Sequence, residues 1–286
     1  MPRVGALIAI LLWGISFVAT KAALRELTPI ALISVRFILG TAVLFVLLAA
    51  KRVSPIPPRD AIPQLAIMGF IGIFVHQMLQ AHGIALTSAV NAGWLIGLTP
   101  IWSAFLAGLF LRERFTARKI AGFVIGFAGA VLVITRGEPV FLPSTAGDLL
   151  ILASTLNWAI YTIVGHPTIR RLGALRATGG SMFLGTLMLV PAFVARGGWR
   201  ELSGVSAAGW GSILFLGIGC SAFGYFLWYG ALEQIDASRV AVLLYLEPLV
   251  TLIAAVLLLG ERITIITAAG GLLVFAGVLV VQRESA

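Results

Sequence analysis

Long, nearly unbroken runs of apolar residues, parted by short polar joins, dominate this chain of 286 residues. A helix needs about 20 predominantly apolar residues to cross the hydrocarbon core of a bilayer. Ten such runs are legible, at 4–24, 29–50, 61–82, 87–111, 117–135, 147–165, 174–195, 209–230, 237–259 and 265–281. The joins leave little chain for a water-soluble module. The pattern predicts an all-α integral membrane protein with ten transmembrane helices and a lipid bilayer as its surroundings.

The pattern also repeats. Residues 88–133 align with 236–281 at a constant offset of 148, without a gap. Pro100 matches Pro248, Glu113-Arg114 matches Glu261-Arg262, and Thr116 matches Thr264. Ala121-Gly122 matches Ala269-Gly270, and Phe127-Ala128-Gly129 matches Phe275-Ala276-Gly277. Shared hydrophobicity produces chance identities among apolar residues, but it does not explain matched Pro, Gly and Glu-Arg positions. A fainter echo links Leu12-Trp13 to Asn157-Trp158. The unit is therefore five helices, with a first copy at 1–136 and a second at 147–286. Five crossings are an odd number, so the second copy enters from the opposite side and the halves are inverted repeats. In secondary transporters of that design the substrate site lies at the repeat interface, near the bilayer midplane.

Composition agrees with lipid as the solvent. Hydrophobic residues make up 60% and charged residues 11%, whereas soluble domains carry about a quarter charged residues. The net charge of +9 raises a nucleic-acid partner, but the basic residues sit in short joins and form no stripe interleaved with aromatics. No nucleic-acid partner is expected. With the N-terminus in the cytoplasm, 13 of the 20 Lys and Arg residues fall at cytoplasmic joins and 6 outside, with Arg36 inside a span. That bias follows the positive-inside rule, and an even number of crossings puts both termini in the cytoplasm. The single cysteine, Cys220, excludes an internal disulfide. The first run is too long for a secretory signal and lacks a small-residue cleavage site, so it reads as a retained helix.

Polar residues inside spans face the bundle or a cavity, because lipid-facing surfaces are apolar. Helical spacing groups them. Trp13, Ser16 and Thr20 share a face of the first span. In the third, Gly69, Gly72, His76, Gln80 and Gly83 form a stripe of small and polar groups. Asn91 and Trp94 lie in the fourth span, Ser154, Asn157, Trp158 and Tyr161 in the sixth, Ser221, Tyr225 and Trp228 in the eighth, and Tyr245 in the ninth. Uncharged donors and acceptors suit a zwitterionic solute. Trp13 and Trp158, at related places in the two halves, would flank it. An indole offers an apolar wall with one N–H donor and a face that attracts an ammonium group. The competing account for each is packing: glycines for close helix approach, His76 bonded to a carbonyl, tryptophans filling the core. These stripes make the first, third, fourth, sixth, eighth and ninth helices the expected walls of a central path.

Charges within spans are few. Arg36 lies about 10 Å along its helix from Pro29, where it either binds a substrate carboxylate or makes a structural bond. Glu247 is the one acid deep enough for proton coupling. It also precedes Pro248, which leaves a carbonyl one turn back unpaired, so a local structural role competes. Lys21 is expected to snorkel, and Glu113 and Glu261 to pair with their neighbouring arginines. Gly122 with Gly126, and Gly93 with Gly97, read as small-xxx-small packing pairs.

The motifs carry a family resemblance over essentially the whole chain. They are Leu-Leu-Trp-Gly at 11–14, Leu-Thr-Pro at 98–100, Leu-Glu-Pro at 246–248, Leu-Arg-Glu-Arg at 111–114 and Leu-Gly-Glu-Arg at 259–262. In this order, in both halves, they resemble the drug/metabolite transporter superfamily, in particular its EamA-type exporters. The aromatic-rich pattern is similar to the YddG amino-acid exporters. The resemblance implies export of small metabolites, often amino acids, across the bacterial inner membrane. It also implies a homodimer, since the fifth and tenth helices of the family carry dimer contacts, and the Gly122/Gly126 face is the candidate surface. Drugs or other metabolites are the alternative substrates. An intramembrane enzyme is disfavoured: there is no His-Glu-x-x-His and no Gly-x-Ser-x-Gly turn, hence no catalytic residue, metal or cofactor is expected. There is no Walker motif, so this chain does not itself use ATP. Nothing resembles a channel's filter loop.

Overall fold

In the computed structural model, residues 2–54, 56–110, 116–136, 143–234 and 242–282 are described. They form α1 (Pro2–Ala23), α2 (Pro29–Ala50), α3 (Arg59–Leu86), α4 (Ala89–Ile96, resuming as Thr99–Phe110) and α5 (Ala117–Thr135). After these come α6 (Pro143–Leu172), α7 (Ala174–Ala195), α8 (Ala207–Gln234), α9 (Leu246–Leu259) and α10 (Ile265–Gln282). Only structures that satisfy their own backbone groups tolerate lipid, and the chain complies with helices throughout. Thr28, Ser88, Thr116 and Ser206 each turn a side-chain oxygen onto an N–H of the first turn that follows, the usual cap that stops a helix fraying.

Eight of the ten expected crossings are found among the described residues. Helices α1 to α8 contain spans long and apolar enough to cross a membrane, while α9 and α10 are apolar but shorter. At about 1.5 Å per residue, the 14 residues of α9 reach about 21 Å, short of a core about 30 Å thick. The 3₁₀ turn Val242–Tyr245 leads directly into it and, at about 2 Å per residue, adds about 8 Å. Helices α3, α6 and α8 conversely extend beyond their apolar runs at both ends.

Packing is repeat-like. α5 lies along α10, α2 along α7 and α4 along α9. The remaining large contacts come in matched sets: α3 on α6 with α1 on α8, α4 on α6 with α1 on α9, and α3 on α7 with α2 on α8. In each set the second contact is the first with every helix moved five places. The irregularities match as well. α3 widens into a π-helix at Gly69–Val75 and α8 does so at Phe215–Gly224.

The α5–α10 contact is backbone against backbone. A Cβ on Gly277 would stand 2.4 Å from the Gly126 nitrogen, and one on Gly129 2.5 Å from the Gly270 oxygen. This overturns the Gly122/Gly126 face as a surface for a second copy, because both glycines are buried against α10 of the same chain. Small residues bring two helices close whether or not they belong to one chain.

At the end of the bundle that carries residues 24–28, two glutamates cap each other's neighbouring helices. Glu201 accepts from the Thr28 N–H at 2.7 Å and its hydroxyl at 2.9 Å, at the start of α2. Glu26 accepts from the Ser206 N–H at 2.7 Å and its hydroxyl at 2.8 Å, at the start of α8. A carboxylate at a helix N-terminus meets unpaired N–H groups and the positive end of the dipole. Together the two bonds tie the α1–α2 turn to the α7–α8 join.

Two predictions follow from this packing. Gly277→Leu forces two backbones apart, and overpacking costs about 1–3 kcal/mol. The detergent-solubilised protein is expected to melt several degrees lower, whereas Gly211→Leu, where an added Cβ meets nothing within 4 Å, leaves the melting temperature in place. For the clasp, the Ser206 backbone N–H, helped by its hydroxyl, holds the Glu26 carboxyl below the usual carboxylate range. A lowered folded pKa contributes stability above the unfolded value and loses it as pH falls through the folded one. Wild type should therefore melt above Glu26→Gln at neutral pH, and the two curves should converge on acidification.

Candidate functional site

Seven helices or their ends surround a partly open cavity with about 440 Å³ of empty space, its mouth included. α1 supplies Trp13, Ser16 and Phe17, and α2 supplies Arg36. α3 supplies His76, Gln77 and Gln80, α4 supplies Ile96 and Thr99, α6 supplies Trp158, and α8 supplies Tyr225. Leu244 and Glu247 come from the entry to α9. The six expected walls are present, and α2 joins them through Arg36.

The π-helices set this geometry. A π turn breaks the regular ladder of backbone bonds, and carbonyls on it are open to outside donors. Trp13 Nε1 donates to the Cys220 carbonyl of α8 at 3.1 Å, and Asn157 Nδ2 donates to the Ile71 carbonyl of α3 at 2.8 Å. Each donor thus docks a first helix of one half onto the widened helix of the other. The Trp13 indole is seated against Gly224, where a Cβ would lie 2.7 Å from Nε1. Around it stand Trp158 and Tyr225, both with ring centroids 5.5 Å away and edge-on, and Trp228 at 5.4 Å. Aromatic quadrupoles favour such edge-to-face contacts.

The polar wall is equally specific. His76 Nδ1 lies 3.2 Å from the Ser154 carbonyl. A carbonyl only accepts, so this nitrogen carries the hydrogen, and in the neutral ring Nε2 is left as an acceptor. The ring packs on Trp158 with centroids 5.0 Å apart. Arg36, 3% exposed, donates from Nε to Ser221 Oγ at 2.8 Å and from Nη1 to Gln77 Oε1 at 3.4 Å. Gln77 Nε2 donates onward to Tyr225 Oη at 3.3 Å. All these partners are neutral.

Of the residues singled out by sequence, Trp13, Ser16, Arg36, His76, Gln80, Trp158, Tyr225 and Glu247 line the cavity. Four others lie elsewhere. Asn91 donates to Asp148 and to the Val133 carbonyl, away from the cavity. Trp94 is wedged onto Gly271 of α10. Asn157 is held by Ile71, and Tyr161 fills the notch over Gly72. The side chain of Tyr245 lies outside the described residues. The glycines of the α3 stripe are packing residues: Gly69 faces α7, while Gly72 and Gly83 face α6.

Charged residues at the span ends also differ from expectation. Lys21 donates to the carbonyls of Ile84, Ala85 and Thr87, closing the C-terminus of α3. Glu261 caps α4, accepting from the N–H groups of Ala89 at 3.0 Å and Val90 at 2.8 Å. Both edge a second depression of about 870 Å³ with Asn91 and Arg136. Glu113 and Arg114 lie outside the described residues. The grouping by sequence missed Gln77, Phe17 and Thr99. Gln77 stands beside His76 and Gln80 on the regular stretch His76–Leu86, and a count by threes and fours from His76 to Gln80 steps over it. The run His76-Gln77 followed by Gln80 was the available signal.

The EamA-like transporter family model matches the chain twice, over residues 3–135 and 145–283. This chain belongs to the EamA-like transporter family. An uncharacterized transporter of Archaeoglobus fulgidus is 35% identical over 277 residues, covering 95% of each chain. The uncharacterized transporter YyaM of Bacillus subtilis is 29% identical over 93% of this chain and 88% of its own. A probable terminal-alkyne amino-acid exporter of Streptantibioticus cattleyicolor is 27% identical over 97% of this chain and 92% of its own. Among solved structures, one crystal structure superposes with a TM-score of 0.70 at 20% identity, covering 100% of this chain and 99% of that one; it attests the fold. The EamA-like protein is thus a membrane-embedded secondary transporter of small molecules, and its family is consistent with a non-enzymatic role.

Each π-helix dock has a measurable worth. Trp13→Phe and Asn157→Leu each remove one hydrogen bond to an α8 or α3 carbonyl, at a cost of about 1 kcal/mol. Each variant should melt a few degrees below wild type, and Asn157→Gln should recover part of the loss if its amide reaches Ile71.

Proposed function

We propose that this protein exports neutral or aromatic amino acids across a bacterial inner membrane, as a YddG-like member of its family. In this reading α9 and α10 complete ten crossings. Residues 1–136 and 147–286 are the two inverted halves, and both termini are cytoplasmic. Exchange between two symmetry-related arrangements of the halves would open the central cavity to each side in turn. The observation that carries the proposal is the meeting of Trp13 and Trp158, from corresponding helices of the two halves, in one cavity with His76 and Gln80. An apolar wall with a few convergent polar groups is the usual make-up of a small-molecule site. Support also comes from the Streptantibioticus relative, a probable terminal-alkyne amino-acid exporter.

Proteoliposomes loaded with radiolabelled leucine or phenylalanine test this reading. Saturable efflux with counterflow is expected. Flux that rises linearly with concentration would indicate a channel, and no transport of any amino acid tried would overturn the substrate class. Trp13→Ala, His76→Ala and Trp158→Ala should each reduce initial rates about tenfold or more, a loss of about 1.4 kcal/mol, while still eluting as folded protein. Normal rates in all three would remove this cavity from the pathway.

A further inference from the structure

The cavity holds one cationic and one acidic side chain, and neither has a charged partner. Arg36 is a permanent cation, since a guanidinium does not lose its proton in proteins. Two of its five N–H donors are engaged, by Ser221 and Gln77. The ion pairs among the described residues are Arg136–Asp148 and Arg171–Asp60, so Arg36 has none. Glu247, 7% exposed, faces the same cavity from the first turn of α9. Its carboxyl makes no hydrogen bond among the described residues, which leaves the structural role beside Pro248 unsupported. Charged groups within a membrane are costly, and they face cavities or pair with one another. Here they face one cavity and do not pair.

We infer that this arrangement is a two-point clamp for a zwitterionic amino acid, a proposal that rests on the amino-acid reading above. Arg36 takes the carboxylate. Ser221 and Gln77 fix the plane of its guanidinium, and its remaining N–H groups offer the paired donors that a carboxylate accepts side by side. Glu247 takes the ammonium. His76 Nε2 is a second acceptor for it, and the faces of Trp13, Trp158 and Tyr225 add cation–π attraction in a site sheltered from water. The ligand's carboxylate thereby meets the unpaired guanidinium, and its ammonium gives the Glu247 carboxyl an opposite charge against which to ionise. The clamp reads the head group and leaves the side chain to the apolar remainder of the cavity. That division predicts broad tolerance of neutral side chains with strict demand for both head charges.

Such a site rejects a ligand lacking one partner, because a buried charge of the protein is then left unpaired. The test is efflux of labelled leucine from proteoliposomes, challenged by three unlabelled analogues, the first two close to leucine in size. Leucinol lacks the carboxylate, 4-methylpentanoate lacks the ammonium, and N-acetylleucine lacks the ammonium charge. Unlabelled leucine should compete, and each analogue should be about 100-fold weaker or worse. Arg36→Gln should weaken leucine while leaving leucinol's inhibition constant unchanged. Glu247→Gln should weaken leucine while leaving that of 4-methylpentanoate unchanged. Analogues that compete as well as leucine in wild type overturn the clamp and leave the exporter reading standing, and so does a variant that weakens leucine and its matched analogue equally. Absence of leucine and phenylalanine transport in wild type overturns both. The wild-type competition decides the matter alone if either variant fails to fold.

Discussion

Backbone polarity in an apolar solvent is the constraint on which this structure depends. In lipid, an N–H or carbonyl without a partner has no water to turn to. Regular helices meet most of the demand, and the remainder falls at helix ends and π turns. There the chain recruits groups from distant sequence. Glu201 and Glu26 cap α2 and α8, Glu261 caps α4, and Lys21 closes α3. Trp13 and Asn157 reach carbonyls on the π turns. Nearly every such bond joins helices far apart in the chain, so satisfying the backbone also assembles the bundle.

The same logic makes unsatisfied groups informative. Several buried atoms lack partners, among them Trp94 Nε1, Tyr161 Oη and Tyr229 Oη. These are neutral groups on large apolar rings, where the packing gain offsets one lost hydrogen bond. Arg36 and Glu247 are different. Arg36 carries a full charge for which packing offers no comparable compensation, Glu247 has no hydrogen bond among the described residues, and both line the cavity. The cavity also depends on close helix contacts around it. Glycines let α5 meet α10 and let α3 meet α6 and α7, which leaves the volume in the bundle gathered at the centre.

The sequence alone determined the solvent, the helical class and the presence of an internal repeat, because these follow from apolar run length and from identities at a fixed offset. It also nominated most of the cavity: Trp13, Ser16, Arg36, His76, Gln80, Trp158, Tyr225 and Glu247 are all rare polar or aromatic residues in apolar helices, and rarity is visible in one dimension. What it did not determine was which face such residues occupy. Gln77 entered the cavity beside His76 and Gln80 because the cavity meets an arc of α3 wider than a single row of side chains. Asn91 left it because Asp148, 57 positions away, claims its amide. Tyr161 and Trp94 left it because glycines on other helices offered their rings a notch. The glycine pair of α5 went to α10 of the same chain instead of a second copy. Periodicity assigns a residue to a face only on a regular helix, and it is silent about which neighbour that face will meet. Those two facts belong to the tertiary structure.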